Sequence, residues 1–350
     1  MITQLDRQKL IKIKEEDGEP AYSIHRVLQD KIQFDLDVYS FADAFRKAFR
    51  LIRKKFPASN TTQVPVPEDM DVCRRYMPHV ASFFDAYRRH NEEHGLISIG
   101  DVDPVEVAGL FYDAGFFVWG GQSTAYQGPP YLEAAYQILE EKKVEGNKKM
   151  RADISCIYGL LLLNMGYEQR ALAARRLEQA WEIRRHLYDQ QPVVGGNEDV
   201  LSQNAANDWC ICLMNQYRFE EADQLLQGCL DRYKLWGTIE ENPFEYSKFY
   251  GNYTVVLLWE GKFEEAIDSC RTCLTLTERF GGRNSQYYRR LFFLGCIYLQ
   301  AGDLQKALDT HIDALKQRIA LQGVYHENTI MSMYAVGAMF HYLGDVASAM

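Results

Sequence analysis

The sequence predicts a mainly α fold, a right-handed α-solenoid of helical hairpins preceded by a small N-terminal α/β segment. Three observations predict it. A trio of small residues recurs at fixed spacing from about residue 150 onward, and the copies are more than 40 residues apart. With 47% hydrophobic, 25% charged and 13% aromatic residues, the composition is that of an ordinary folded chain.

The trio is measured from a turn residue. Gly302 has Gly295 seven positions before it and Ala307 five after. The same spacing relates Gly344 to Gly337 and Ala349, Gly166 to Gly159 and Ala171, Gly261 to Thr254 and Ala266, and Tyr217 to Cys210 and Ala222. A small residue at a helix contact lets the neighbouring helix approach at the short end of the usual ~8 to 10 Å. Glycine suits the turn because a helix commonly ends in a left-handed residue, and Tyr217 departs from that preference. An apolar residue follows each turn (Phe219, Phe263, Leu304, Val346) and is expected to pack on the second helix. Each unit is a hairpin that cannot bury its apolar face alone, so stacking makes the core continuous.

The small–Gly–Ala spacing resembles the tetratricopeptide repeat. Turn positions at 217, 261, 302 and 344 give steps of 44, 41 and 42 residues, longer than the ~34 of the ordinary unit. With "QRIALQGVYHENT" (residues 317–329), which places Arg318, Gly323 and His326 in order, the long period is similar to the kinesin-light-chain variety. The repeat around Gly261 departs from it, reading "TERFGGRNSQ" without a His.

Five clear repeats run from about residue 150, and residues 105–140 read as a divergent earlier unit in which Ala134 is the second-helix alanine and "GGQSTAYQGPP" is inserted at the turn. The domain expectation is therefore 105–350 for the solenoid, 59–104 for a linker and linker helix ("DVCRRYMPHVASFFDAYRRHNEE", 71–93), and 1–58 for a winged-helix-like segment. In the last, "LIKIKEEDGEPAYSIHRVLQDKI" reads as a strand, a turn at Asp17-Gly18, a strand through Tyr22 and Ile24, and a helix. The ordered set "YSIHRVLQD", "FPASN", "CRRYMPHV" and long-period repeats resembles the C-terminal winged-helix and repeat portion of fungal signal-transducing NTPases of the NB-ARC type. No GxxxxGK[ST] phosphate loop occurs, so the resemblance implies the sensor end of such a protein without its nucleotide domain.

The formal charge of −9 opposes a nucleic-acid partner, and the basic "RKAFRLIRKKF" (46–56) reads as the wet face of an amphipathic helix. No run approaches the ~18 to 20 apolar residues that span a bilayer, nor is there a secretory core, so a cytoplasmic location is expected. The eight cysteines then count as reduced small hydrophobes. Cys210/Cys212 and Cys270/Cys273 fall in repeat helices, where packing explains them better than zinc. Glu220-Glu221 and Glu264-Glu265 fit a helix N-terminus. His25 and His79 are assigned to packing, and His326 to a backbone bond in its loop. Cys73 and His79 lack a third orienting group. No catalytic residue, metal or cofactor is expected.

The functional reading is a scaffold or adaptor that binds a protein or peptide on the concave face. Positions ten to eight before each turn, with two residues one turn earlier, give Asn207, Asp208, Asn252, Tyr253, Arg289, Arg290, Phe293 and Tyr334 as groove residues. Asn grips peptide backbone through a donor and an acceptor together, and Arg and Tyr anchor interfaces. The alternative is an enzyme using the solenoid as an aromatic-lined chamber for a small apolar substrate, with Tyr112, Phe116, Trp119 and Tyr126 near the inserted loop. The apolar "MSMYAVGAMF" (331–340) of the last hairpin is expected to be covered by further chain or by a second copy, as in a homodimer. Gly295→Leu is expected to overpack a helix crossing and cost about 1 to 3 kcal/mol, read from urea melts of the two proteins.

Overall fold

The computed structural model describes residues 11–16, 19–24, 26–59, 67–94, 102–122, 125–141 and 147–349. Asp17, Gly18 and His25 lie outside them. Two compact units divide the chain, one of residues 1–55 and 79–103, the other of 56–78 and 104–350. The segment read as a linker thus contributes to both. None of the described helices is long and apolar enough to cross a membrane.

In the first unit, β1 (Ile11–Glu16) pairs antiparallel with β2 (Glu19–Ile24), Ile11 opposite Ile24 and Glu16 opposite Glu19. Helices α1 (Arg26–Asp35) and α2 (Val38–Lys55) follow. Asp37 caps α2 by accepting the Ser40 amide at 2.8 Å, a bond that holds its carboxyl below the usual range. Phe45 stacks on Phe83 at 4.2 Å and Phe41 on His90 at 4.4 Å, using the apolar stripe of α2. Its basic residues Arg50, Lys54 and Lys55 are exposed, as a solvated face requires. The long helix α3 (Pro67–His94) contains Pro78, which removes one N–H from its ladder at the point where the compact units divide.

The second unit is a stack of hairpins: α4 (Pro104–Phe117) with α5 (Pro129–Glu141), α6 (Lys148–Leu162) with α7 (Arg170–Gln190), α8 (Asn197–Asn215) with α9 (Phe219–Trp236), α10 (Pro243–Trp259) with α11 (Phe263–Gly281), α12 (Ser285–Gln300) with α13 (Leu304–Gln322), and α14 (Glu327–Tyr342) with the short α15 (Val346–Ala349). Each helix packs on the next, and α8 also packs on α10 across the hairpin boundary. This is the expected α-solenoid. Two apolar clusters run through it, one from Leu177 to Leu276 and one from Leu257 to Met339.

The small residues sit at the crossings. A Cβ on Gly159 would lie 2.6 Å from Leu177 and 3.1 Å from the Ala173 carbonyl, one on Gly295 would lie 2.7 Å from the His311 ring, and one on Gly337 would lie 3.2 Å from the Ala349 carbonyl. Cys210 directs its thiol at the Ala222 carbonyl at 3.7 Å, and Thr254 Oγ1 meets Ser269 Oγ at 3.1 Å. Ala222, Ala266 and Ala307 are fully buried opposite them. In the first clear repeat the buried alanine is Ala173, whereas Ala171 is exposed, because a 3-10 turn at Tyr167–Gln169 inserts before α7. In the divergent unit, Gly115 stands against Leu132 as Gly159 does against Leu177, so Ala134 lies beyond the crossing.

Four turns share one hydrogen-bond pattern. The amides of Arg218, Lys262, Asp303 and Asp345 reach back to the carbonyls of Leu213, Leu257, Tyr298 and Phe340, each at 2.9 Å. Those of Tyr217, Gly261, Gly302 and Gly344 reach Met214, Leu258, Leu299 and His341. That is the Schellman closure, and it demands a left-handed residue. Tyr217 adopts φ 60° where Gly261, Gly302 and Gly344 have 75 to 82°.

Eleven residues after the crossing alanine, three of the second helices carry a side chain that reaches its neighbours, Arg184, Tyr233 and Arg318, whereas the fourth carries Thr277, whose hydroxyl stays within its own helix. Arg184 donates to Glu198 at 3.0 Å, to the Lys149 carbonyl at 3.3 Å and to Asp153. Arg318 donates to the Asn328 carbonyl at 2.7 Å, Ser332 at 2.8 Å and the Tyr288 carbonyl at 3.3 Å. These residues staple one hairpin to the next. His326 accepts the Asn328 amide at 3.2 Å, the backbone role expected of it.

Tyr217→Gly is expected to stabilise the chain by about 0.5 to 1 kcal/mol, the left-handed cost of ~1 to 2 kcal/mol less the extra freedom of an unfolded glycine. The side chain is 83% exposed, so little packing is lost. Arg184→Met leaves two partly buried carboxylates without their guanidinium and is expected to cost about 3 kcal/mol near neutral pH. Glu198 feels burial, but Lys149 and Arg184 outweigh it and hold its carboxyl below the usual range. That stabilisation is present above the unfolded carboxylate pKa and lost as pH falls through the folded one, so urea melts should converge only as pH falls below the ordinary carboxylate range.

Candidate functional site

The first helices present one column of side chains, thirteen residues before each turn: Asp153 on α6, Asn204 on α8, Lys248 on α10 and Arg289 on α12. All four line a cavity of about 330 Å³. Tyr112 and Phe116 of α4, and Trp119 of the π-helical turn Val118–Gln122 that follows it, line the same cavity. Three of the four chamber aromatics and four of the eight groove residues, separate in the sequence reading, border this one space.

The expected groove residues divide. Asp208, Asn252, Arg289 and Arg290 line the cavity. Asn207 does not; it is fully buried, holds Asn252 Nδ2 on its carbonyl at 2.9 Å and donates to the Tyr233 hydroxyl at 3.4 Å. Tyr253 stacks on Phe249 at 5.1 Å, and Phe293 packs on the second apolar cluster. Tyr334 is 80% exposed on α14, and Tyr126 is exposed on the 3-10 turn Ala125–Gln127. Those positions lie too close to the helix crossing, or too far along the stack, to face the cavity. Asp153, Asn204 and Lys248 were missed, although the turn ruler carried back from ten to thirteen positions in every repeat would have found them.

The cavity wall is polar and unevenly answered. Lys248 donates to Asp208 at 3.0 Å and to the Asn204 carbonyl at 3.2 Å. Burial and the nearby Asp208 push the Cys156 thiol well up, and burial above all raises the Tyr112 phenol. Burial raises Asp153 despite its contact with Arg184. Tyr112 Oη and Asn204 Oδ1 are buried without a hydrogen-bond partner among the described residues. Arg289 and Arg290 have no acidic partner among them either. Arg289 is open to water yet ringed by protein, as a concave wall makes it, and burial with neighbouring Arg290 lowers its guanidinium to about 10. It therefore stays charged at neutral pH. The Arg290 guanidinium lies against the α carbon of Gly251, 2.6 Å from where a Cβ would stand.

Counting the wall, five cations (Arg170, Arg184, Lys248, Arg289, Arg290) face two carboxylates (Asp153, Asp208). A chain with a net charge of −9 thus lines its cavity with an excess of three positive charges. The cysteine pairs weighed against zinc in the sequence are buried thiols inside repeat helices. Burial pushes Cys212 and Cys270 up to about 12, and no cluster of potential metal ligands occurs among the described residues.

The tetratricopeptide repeat family model matches residues 247–320. No curated protein matches the chain by sequence. Among solved structures, the apo form of RapI is 13% identical, covering 90% of this chain and 94% of its own at a TM-score of 0.52. A Rap protein complexed with competence and sporulation factor is 14% identical, covering 89% and 95% at a TM-score of 0.50. A putative kinesin light chain of Podosopora anserina with nearly identical TPR-like repeats is 13% identical, covering 59% and 92% at a TM-score of 0.43. At such identities the Rap likeness is one of fold, and the chain carries a tetratricopeptide-like solenoid whose family match centres on α10 to α13.

Proposed function

We propose that the chain is a protein-binding scaffold that takes an anionic segment of a partner along the cavity wall and performs no chemistry on it. The observation that carries this reading is the pair of unanswered guanidinium groups, Arg289 and Arg290, in a wall with excess positive charge. A low-dielectric concave wall focuses that field on whatever enters. Buried Asn204 Oδ1 is an acceptor fit for a peptide N–H. The fold is seen complexed with a factor in the Rap structure, a precedent for reading the stack as a binding surface. The groups in the cavity best placed for chemistry are held in their protonated, unreactive forms, the Cys156 thiol and Tyr112 phenol both being pushed up. That favours binding over the chamber-enzyme alternative.

Affinity capture from a native lysate, with Arg289→Glu/Arg290→Glu as the control and matched circular-dichroism melts, tests the reading. The variant is expected to lose at least about tenfold in retained partner, or ~1.4 kcal/mol. Equal retention by both proteins, or none by either, would sink it.

A further inference from the structure

The third repeat lacks its staple. Where the repeats around Gly166 and Gly302 place Arg184 and Arg318 between one hairpin and the next, the repeat around Gly261 places Thr277, whose hydroxyl bonds within its own helix to the Cys273 carbonyl at 2.7 Å. Thr277 is shorter than those arginines, and it lines the cavity. In the other two repeats that position holds the protein's own cation among carboxylate, carbonyl or hydroxyl acceptors. Here the chain supplies cations instead: Arg289 and Arg290 from α12 and Lys248 from α10, of which Lys248 alone is answered, by Asp208. Phe244 and Phe280, set edge to face at 5.3 Å, line the same cavity.

The complement of that arrangement is an anion of more than one charge. A carboxylate would offset one of the two unanswered guanidinium groups. A phosphomonoester brings about −1.5 to −2 and three acceptor oxygens, enough for two guanidinium forks. We propose that the space beside Thr277 is a phosphomonoester site in which Arg289 and Arg290 hold the phosphoryl oxygens and Phe244 and Phe280 take the organic body of the ester. Burial, with repulsion from Arg290 beside it, lowers Arg289, and a dianion entering the space opposes both effects. The inference rests on the reading of the cavity as a binding site and adds the chemistry of what it binds.

The full chain is titrated calorimetrically at fixed ionic strength with phenyl phosphate, benzoate and a tripeptide containing O-phosphotyrosine. Phenyl phosphate should bind at least about tenfold more tightly than benzoate. Its affinity should rise from about pH 5 to about pH 7, as the second phosphate proton leaves near ~6. Arg289→Gln should lower phenyl phosphate affinity about tenfold or more. Gly251→Ala should weaken it too, because the new methyl displaces only the flexible end of Arg290, and a parent-like melt would show the fold intact. Tighter binding of the tripeptide assigns the ester to a partner's side chain, equal binding to a free small ester, and either bears the site out. Benzoate binding as tightly as phenyl phosphate would overturn the proposal, as would an Arg289→Gln variant with parental affinity or no phenyl phosphate binding at millimolar concentration. If lysate partners captured through Arg289 and Arg290 resist phosphatase treatment, the scaffold reading stands and the phosphomonoester site fails.

Discussion

Close approach of two helices at one small residue is the constraint on which the solenoid depends. Gly159, Cys210, Thr254, Gly295 and Gly337 stand where a second helix passes, and what faces them is a leucine side chain, backbone, a hydroxyl or a buried ring. Side chains are close-packed there. The crossing sets how each first helix is rotated, and that rotation decides which column faces the cavity. The column thirteen residues before each turn is far enough from the crossing to escape packing and lies on the face that the neighbouring hairpins leave open.

Much of this was legible in the residues. The hairpins and their turns follow from the ruler because glycine and small side chains each answer one steric demand. Tyr217 was the turn that did not fit, and it takes the same left-handed conformation as its glycine counterparts. The slip from Ala173 to Ala171 has a physical source. A single 3-10 turn shifts the register by two, and residues 171, 173 and 174 are all alanine, so spacing could not tell them apart.

The site was less legible. Asn207, Asp208 and Asn252 have the same polar character in sequence, yet the first is fully buried between helices while the other two border the cavity. Asn207 and Asp208 are neighbours on one helix, about 100° apart around it, and composition does not record which of them borders the cavity. The electrostatic character of the wall was hidden as well, because it comes from residues scattered between Asp153 and Arg290 and opposes the sign of the whole chain. Repeat proteins diverge unit by unit while the stack is preserved. Here the repeats around Gly166 and Gly302 carry a stapling arginine where the repeat around Gly261 carries Thr277, which borders the cavity.

The buried thiols carry a consequence of their own. With Cys212, Cys229 and Cys270 pushed up to about 12 by burial, each is held as the thiol at neutral pH, against a few per cent thiolate for an ordinary exposed cysteine. Alkylating reagents attack the thiolate, so these positions stay silent while the hairpins remain stacked and respond once they part. The cysteines thus serve as clocks for local opening of the solenoid, each reporting on the hairpin that conceals it.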